Sequence, residues 1–299
     1  MGKRLENAFN LLSNYEGEEY RRLNGTRKFS LLVLEYGTGK AGITLLGTRH
    51  IHRNRGDASK IKRSVTSLVL DYFKRTPKSK RLVMVEGFAD GQPVCADTKE
   101  KSFDMGEPAG VVFLAKRTGT GVISPEPSMP EQMRYLLSLG FSREEAMLHY
   151  IVRQVPGDIE AEALNSRGIS YIGRIAIVAG DMKAEKLGNE YVINHVIPRL
   201  NRMMRKLKGK NLFRKKEGLI VSDFSPDQLY PLTNPTLKLT KINKIAYNVS
   251  DIRDRSIISR IESSVKSGKS PLVVYGRSHI ARIKPALDYL YGKPVKIKV

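Results

Sequence analysis

Gly42-Ile-Thr-Leu-Leu-Gly-Thr-Arg-His50 and Leu272-Val-Val-Tyr-Gly-Arg-Ser-His279 share one pattern, a short apolar run closed by Gly-x-x-His. Each run reads as a buried strand, and each leads into a helix-forming segment. The glycine permits a sharp exit from the strand or a close backbone approach. The histidine then stands at the carboxyl end of the strand, where ligands bind in open α/β sheets. Two such histidines at equivalent strand ends can share one metal through neutral imidazoles, or serve as acid and base. The plain alternative is a pair of unrelated histidines in surface turns.

The neighbouring segments extend the pattern. Residues 29–36 and 42–47 read as strands around the turn Gly37-Thr-Gly39-Lys40, an N-terminal hairpin. Residues 58–74 place Ile61, Val65, Leu68, Val69 and Phe73 at helical spacing. A strand is expected over 81–86, a helix over 107–117, a brief strand at 122–123 and a helix over 130–139. Ser142 and Glu145 make a capping box for the next helix. Residues 170–179 read as β-rich, and 187–208 as one long helix that Pro198 ends or kinks. Then follow a strand at 219–222 and a surface excursion over 224–248, rich in Pro, Asn and Thr. A helix over 251–266, a strand over 272–275, a helix over 280–291 and a strand over 295–299 complete the chain. The alternation predicts an α/β fold: a mixed, largely parallel central sheet flanked by helices, with an N-terminal β-hairpin. A single domain over 1–299 is expected, with a helical middle region around 124–187.

Composition bounds the reading. The 299 residues are 40% hydrophobic and 27% charged, which excludes a collagen-like or wholly disordered chain. One cysteine, Cys95, excludes an intramolecular disulfide and a Cys-rich zinc module. The first twenty residues lack a signal-peptide pattern, and no apolar run reaches the roughly 18 residues of a membrane span, so a cytoplasmic location is expected. The 52 basic residues against 30 acidic give a net charge of +22. That excess fits polyanion contact, or a basic solvated surface. It peaks over 199–216, where Arg199, Arg202, Arg205, Lys206, Lys208, Lys210, Arg214, Lys215 and Lys216 occur without an acid. Leu200, Met203, Met204 and Leu207 fall at helical spacing there, so the stretch is a solvated helix face and loop, or a nucleic-acid or anionic-surface patch. Phe213 alone is at hand to stack on a base.

Acidic candidates accompany the histidines. Glu86 closes an apolar strand and so reaches the same rim. Glu107 opens a helix, where the dipole favours a carboxylate whether or not it has a chemical role. Glu126 stands between Pro125 and Pro127, which fix its backbone. Arg253-Asp254 opens the late helix, where the plain reading is a helix-start salt bridge. His50-x-His52 after a strand also resembles the opening of an amidohydrolase barrel, but the later histidine and aspartate ligands are missing. His149 and His195 fall in helices and read as packed or surface residues. Ser267-Gly268-Lys269-Ser270 ends like a phosphate-binding loop, yet Ser263 stands where a glycine is needed and a strand follows. Gly276-Arg277-Ser278-His279-Ile280 lacks the final glycine of a nucleophile elbow.

Taken in order, Gly47 and His50, Glu86, Arg253 and Asp254, then Gly276 and His279 form a set that resembles the TraB/TIKI family. That family lies within a superfamily that includes erythromycin esterase-like and ChaN-like proteins. Residues 252–261 resemble the family's helix before the last motif, and the anchors run from Gly47 to His279. Arg49 and Arg277 inside the two motifs, the stretch 124–187 and the lack of a membrane segment depart from better-known members. The resemblance implies a hydrolase of peptide or ester bonds, with a small-molecule or peptide substrate. His50, Glu86 and His279 would bind a divalent metal (Mn, Co or Zn) or activate water. Glu126 or Glu107 would add a ligand or base, Arg253 would stabilise an oxyanion, and Gly47 and Gly276 would border the cofactor. ChaN-like members bind haem, which makes a non-enzymatic metal, haem or ligand binder the second reading. A nucleic-acid binder acting through Arg202, Arg205, Lys206, Lys208 and Lys210 is the third.

Overall fold

A computed structural model describes residues 2–13, 15–25, 31–38, 41–48, 58–87, 93–158, 166–216, 219–237 and 240–298. The chain divides into two compact units, Met1–Pro127 with Arg253–Val299, and Ser128–Ile252.

The first unit opens with helices α1 (Lys3–Phe9) and α2 (Glu18–Gly25), then the hairpin strands β1 (Leu31–Thr38) and β2 (Ala41–Thr48). Helix α3 (Ala58–Arg75) leads to β3 (Arg81–Val85), and α4 (Lys99–Asp104) with α5 (Glu107–Arg117) leads to β4 (Gly121–Ile123). The second unit carries α6 (Met129–Ser138), α7 (Arg143–Asp158), α8 (Ser166–Val178), α9 (Met182–Tyr191), a π-helical turn (Val192–Val196) and α10 (Ile197–Lys208). A small hairpin of β5 (Phe213–Lys216) and β6 (Leu219–Ser222) follows, then α11 (Pro226–Thr233). Helix α12 (Lys241–Lys266) returns to the first unit, which ends with β7 (Ser270–Gly276), α13 (Arg277–Tyr291) and β8 (Lys296–Lys298).

Among the described residues the main sheet has the order β4-β3-β7-β2-β1-β8. Strands β4, β3, β7 and β2 are parallel, whereas β1 runs antiparallel to both β2 and β8. This is the expected mixed, largely parallel sheet with an N-terminal hairpin. The continuous apolar run of β7 is explained by its central place, for all seven of its residues are buried. Its side chains alternate between two cores. Leu272 and Val274 pack with α3 and α5 residues such as Val65, Val69, Val111 and Val112. Val273 and Tyr275 pack on the opposite face with Leu5, Leu23, Ile257, Ile261, Ile280 and Leu287. The parallel strands β2, β3, β4 and β7 therefore point their carboxyl ends to one edge, where Thr48 pairs with Gly276. The two Gly-x-x-His segments are offset by one residue, since Gly47 pairs with Tyr275.

The second unit is helical around its own core, which includes Met147, Ile151, Ile172, Ile175, Val196, Leu200, Leu229 and Ile245. Residues 170–179 are not a strand. They lie largely in α8, because buried Ile172, Ile175, Ala176 and Ala179 recur at i, i+3, i+4 and i+7. The β-branched content hid that period. The expected single helix 187–208 is α9, the π turn and α10. Pro198 sits in the first turn of α10, where its missing N–H is harmless, and the π turn and Gly188 (φ 61°) absorb the break before it. Within the expected excursion 224–248, residues 226–233 and 241–248 are helical. Ser225 and Gln228 form a capping box at α11, while Thr240 and Asn243 exchange bonds at the start of α12 (3.1 and 3.3 Å). Asn243 also donates to the carbonyls of Pro231, Leu232 and Asn234, locking the turn between the helices. The capping box of Ser142 and Glu145 is present as read (2.9 and 3.1 Å).

Candidate functional site

The carboxyl ends of β3, β4 and β7 bring together residues far apart in sequence. Glu86 follows β3 directly. Its N–H donates to the Val274 carbonyl (3.1 Å), which continues the ladder one residue past the strand and fixes where the carboxylate starts. Glu86 Oε2 accepts the N–H of Gly276 (2.5 Å), and Oε1 accepts Arg253 Nη2 (2.9 Å). Glu126, three residues beyond β4, accepts the same Nη2 (2.6 Å), the Gly87 N–H (3.0 Å) and the Tyr275 hydroxyl (3.2 Å), all at Oε1. Ser256 Oγ donates to the Pro125 carbonyl (2.6 Å), so the proline-flanked loop is anchored on α12.

Arg253 is therefore a bridge between two carboxylates. Burial pulls its pKa down, but the charges of Glu126 and Glu86 outweigh burial and hold it well above the ordinary arginine value. Its Nε is buried without a hydrogen-bond partner among the described residues. Burial, then the Glu126 charge, pushes the Tyr275 phenol well above its usual range, so it remains a donor.

Asp254, the next residue, points elsewhere, as a 100° step along a helix requires. Its Oδ1 lies 2.5 Å from His279 Nδ1, and its Oδ2 lies 2.8 Å from Arg282 Nη1. Asp254 is fully buried. Arg282 is held in turn by the Tyr15 hydroxyl (3.0 Å), the Ser13 carbonyl (3.2 Å) and the Tyr15 ring face. When the carboxylate is ionised and the imidazole neutral, Nδ1 donates in this contact and Nε2 is the nitrogen with the lone pair. His279 Nε2 has no hydrogen bond among the described residues, nor does Glu126 Oε2. Tyr275 touches both groups, with its hydroxyl on Glu126 and its ring edge-on to His279 at 5.9 Å.

Glu86, Glu126, Arg253 and His279 converge on this edge. His50, with Arg49 and His52, lies outside the described residues. Arg253-Asp254 is not at a helix start, because α12 begins at Lys241 and the pair is mid-helix. Glu107 is buried in the first turn of α5. Both glycines are taken up by the protein itself. A Cβ on Gly47 would lie 3.1 Å from Arg277 Cα and 3.2 Å from Leu32 Cβ, and the Gly276 N–H is spent on Glu86. His195 is exposed and stacks on Tyr191 (4.7 Å), while His149 is buried in the second unit. Sequence reading passed over Tyr275 and Arg282. The signal for Arg282 was a charge three residues after His279 on an apolar helix.

The expected metal set of His50, Glu86 and His279 includes one residue, His50, outside the described residues. Glu86 and Glu126 already hold a cation, the guanidinium of Arg253, and no group of three His, Cys, Asp or Glu among the described residues is disposed to bind an ion. No helix among the described residues is long and apolar enough to cross a membrane. Fold and site define the class: a mixed α/β protein with a histidine–aspartate pair and arginine-bridged glutamates at the carboxyl edge of its sheet. Comparison with protein-family models, with curated proteins and with solved structures gives no match to this chain.

Proposed function

We propose that the chain is a hydrolase that acts on a peptide or ester bond, with His279 as the base that activates water. The observation that carries this reading is the 2.5 Å contact between His279 Nδ1 and the buried Asp254, which leaves Nε2 unbonded at the carboxyl edge of the sheet. In this reading Nε2 takes a proton from water as the oxygen attacks the substrate carbonyl. Asp254 stabilises the resulting imidazolium, which returns the proton to the leaving group. Arg282 holds Asp254 in place. Glu86, Glu126 and Arg253 act as positioning residues: Glu86 ties β3 to the start of α13, and Arg253 ties both carboxylates to α12. Glu126 Oε2 is a second acceptor for a substrate donor. The order of Gly47, Glu86, Arg253, Asp254, Gly276 and His279, which resembles the TraB/TIKI set, supports the same reading.

The test is turnover of 4-nitrophenyl acetate, 4-nitrophenyl butyrate and a mixture of fluorogenic peptides, with EDTA and with added Mn, Co or Zn. The expected result is turnover that survives EDTA and falls about 10³–10⁴-fold in Asp254→Asn, the scale of losing an orienting carboxylate. Turnover only with added metal would replace this mechanism by a metal-bound one. No turnover of any probe would leave the pocket as a binding site and overturn the proposal.

A further inference from the structure

The basic stretch at 199–216 is not one helix and a loop. Helix α10 buries Ile197, Leu200 and Met204 and ends at Gly209 (φ 76°), and β5 then runs beside β6. Some of its cations serve the fold. Arg199 pairs with Asp181 (2.7 Å) and Glu144 (2.8 Å), and Arg214 pairs with Asp223 (2.6 Å). Lys210, expected at a nucleic-acid contact, turns inward. Its Nζ donates to the Asp223 carbonyl (2.6 Å) and lies over the Phe224 ring. Arg202, Arg205, Lys206, Lys208, Lys215 and Lys216 remain exposed, and none has an ion-pair partner among the described residues.

These six charges are held on two elements that Asn201 clamps together. Its Nδ2 donates to the Phe213 carbonyl (2.7 Å), and its Oδ1 accepts the Phe213 N–H (2.8 Å), so α10 offers β5 a strand-like partner. Arg202, Arg205 and Lys206 stand on one helical face at i, i+3 and i+4, roughly 5–6 Å apart. In β5, Arg214, Lys215 and Lys216 are all exposed, with no alternation toward a core. Like charges set this close repel one another, and a polyanion relieves that cost.

We propose that this face binds the phosphate backbone of duplex nucleic acid. A single strand is a poorer fit, because Phe213 and Phe224 are buried and α10, β5 and β6 offer no exposed aromatic among the described residues to stack on a base. A membrane surface is a poorer fit, since the apolar residues of α10 and β5 point into the core and Leu219 is the one large apolar side chain exposed among the described residues between 197 and 222. The proposal is independent of the hydrolase reading.

The test is binding of the full chain to 20-bp duplex DNA and duplex RNA across a salt series. Six phosphate contacts, the most these cations could make, set a limiting log–log salt slope of about −5, at about 0.9 per contact. Arg205→Glu with Lys206→Glu should lower that slope by about two and weaken binding at least about tenfold at 0.1 M salt. Lys183→Glu with Lys186→Glu, exposed on α9, makes the same change in net charge and should alter affinity less than about twofold. Binding to either duplex with these responses supports the face, and the tighter duplex identifies the source of the phosphates. Equal losses in both double variants would reduce the effect to net charge and overturn the proposal. So would a single strand that competes as well as duplex, or binding to phosphatidylserine vesicles without binding to duplex.

Discussion

Arg253→Met removes the cation from a site that holds two carboxylates. The side chains of Arg253, Glu86 and Glu126 are 5%, 11% and 7% exposed, so water cannot replace the guanidinium without rearrangement. Breaking a buried pair from one side costs about 3–5 kcal/mol, chiefly through the charge left behind. Here two carboxylates are left, at 2.9 and 2.6 Å from the lost Nη2, so the upper part of that range applies. For a protein of this size the melting temperature should fall by on the order of 10 °C. The triple variant Arg253→Met, Glu86→Gln, Glu126→Gln removes the charges together and keeps acceptors for the Gly276 and Gly87 N–H groups. It should recover most of the loss, because replacing a whole buried ion cluster is often close to neutral. Thermal unfolding followed by circular dichroism at pH 7.5 measures both. A single variant within about 2 °C of wild type would mean that the carboxylates are not desolvated. A triple variant as unstable as the single one would mean that Arg253 acts through packing, and either result would refute the electrostatic account.

Two further outcomes follow from particular contacts. Gly47→Ala places a methyl 3.1 Å from the Arg277 backbone and should cost about 1–3 kcal/mol of stability, read in the same melts; an unchanged melting temperature would contradict the close approach of β2 and α13. His149 is buried with both ring nitrogens unbonded among the described residues, and burial, then the charge of Arg153, pulls its pKa down to about 3. Between pH 6.5 and 3 the unfolded chain binds a proton that the folded chain refuses, so stability is full above 6.5 and falls with acid by up to about 1.4 kcal/mol per pH unit. His149→Phe should therefore flatten the acid side of the stability profile, and a parallel profile would contradict the assignment.

The parts of the fold that were legible in the sequence have an unambiguous local signal. The apolar runs at 43–46 and 272–275 read as buried strands because both faces of those strands are covered. Helix α5 has the bounds expected from the sequence, 107–117, with Glu107 in its first turn. Residues 170–179 failed because isoleucine and valine favour strands, while the i, i+3, i+4 spacing that decided the matter was carried partly by small alanines. The start of α12 was hidden because Thr240 and Asn243 form a cap without a glutamate or glutamine. At the site, residue types at strand ends pointed to Glu86, Glu126 and His279. The pairing was not legible, for nothing in a sequence tells that Arg253 and Asp254, adjacent in the chain, serve different partners. That follows from the middle of α12 passing between the ends of β3 and β4 on one side and the first turn of α13 on the other.

Turnover by His279→Gln, purified beside the wild type and assayed on the same esters and peptides, tests the central claim most directly. The variant keeps an amide near Asp254 but loses the Nε2 lone pair. The predicted result is a melting temperature within a few degrees of wild type and a rate lower by at least about 10³-fold. A variant that is equally stable and retains its turnover would show that His279 is not the base.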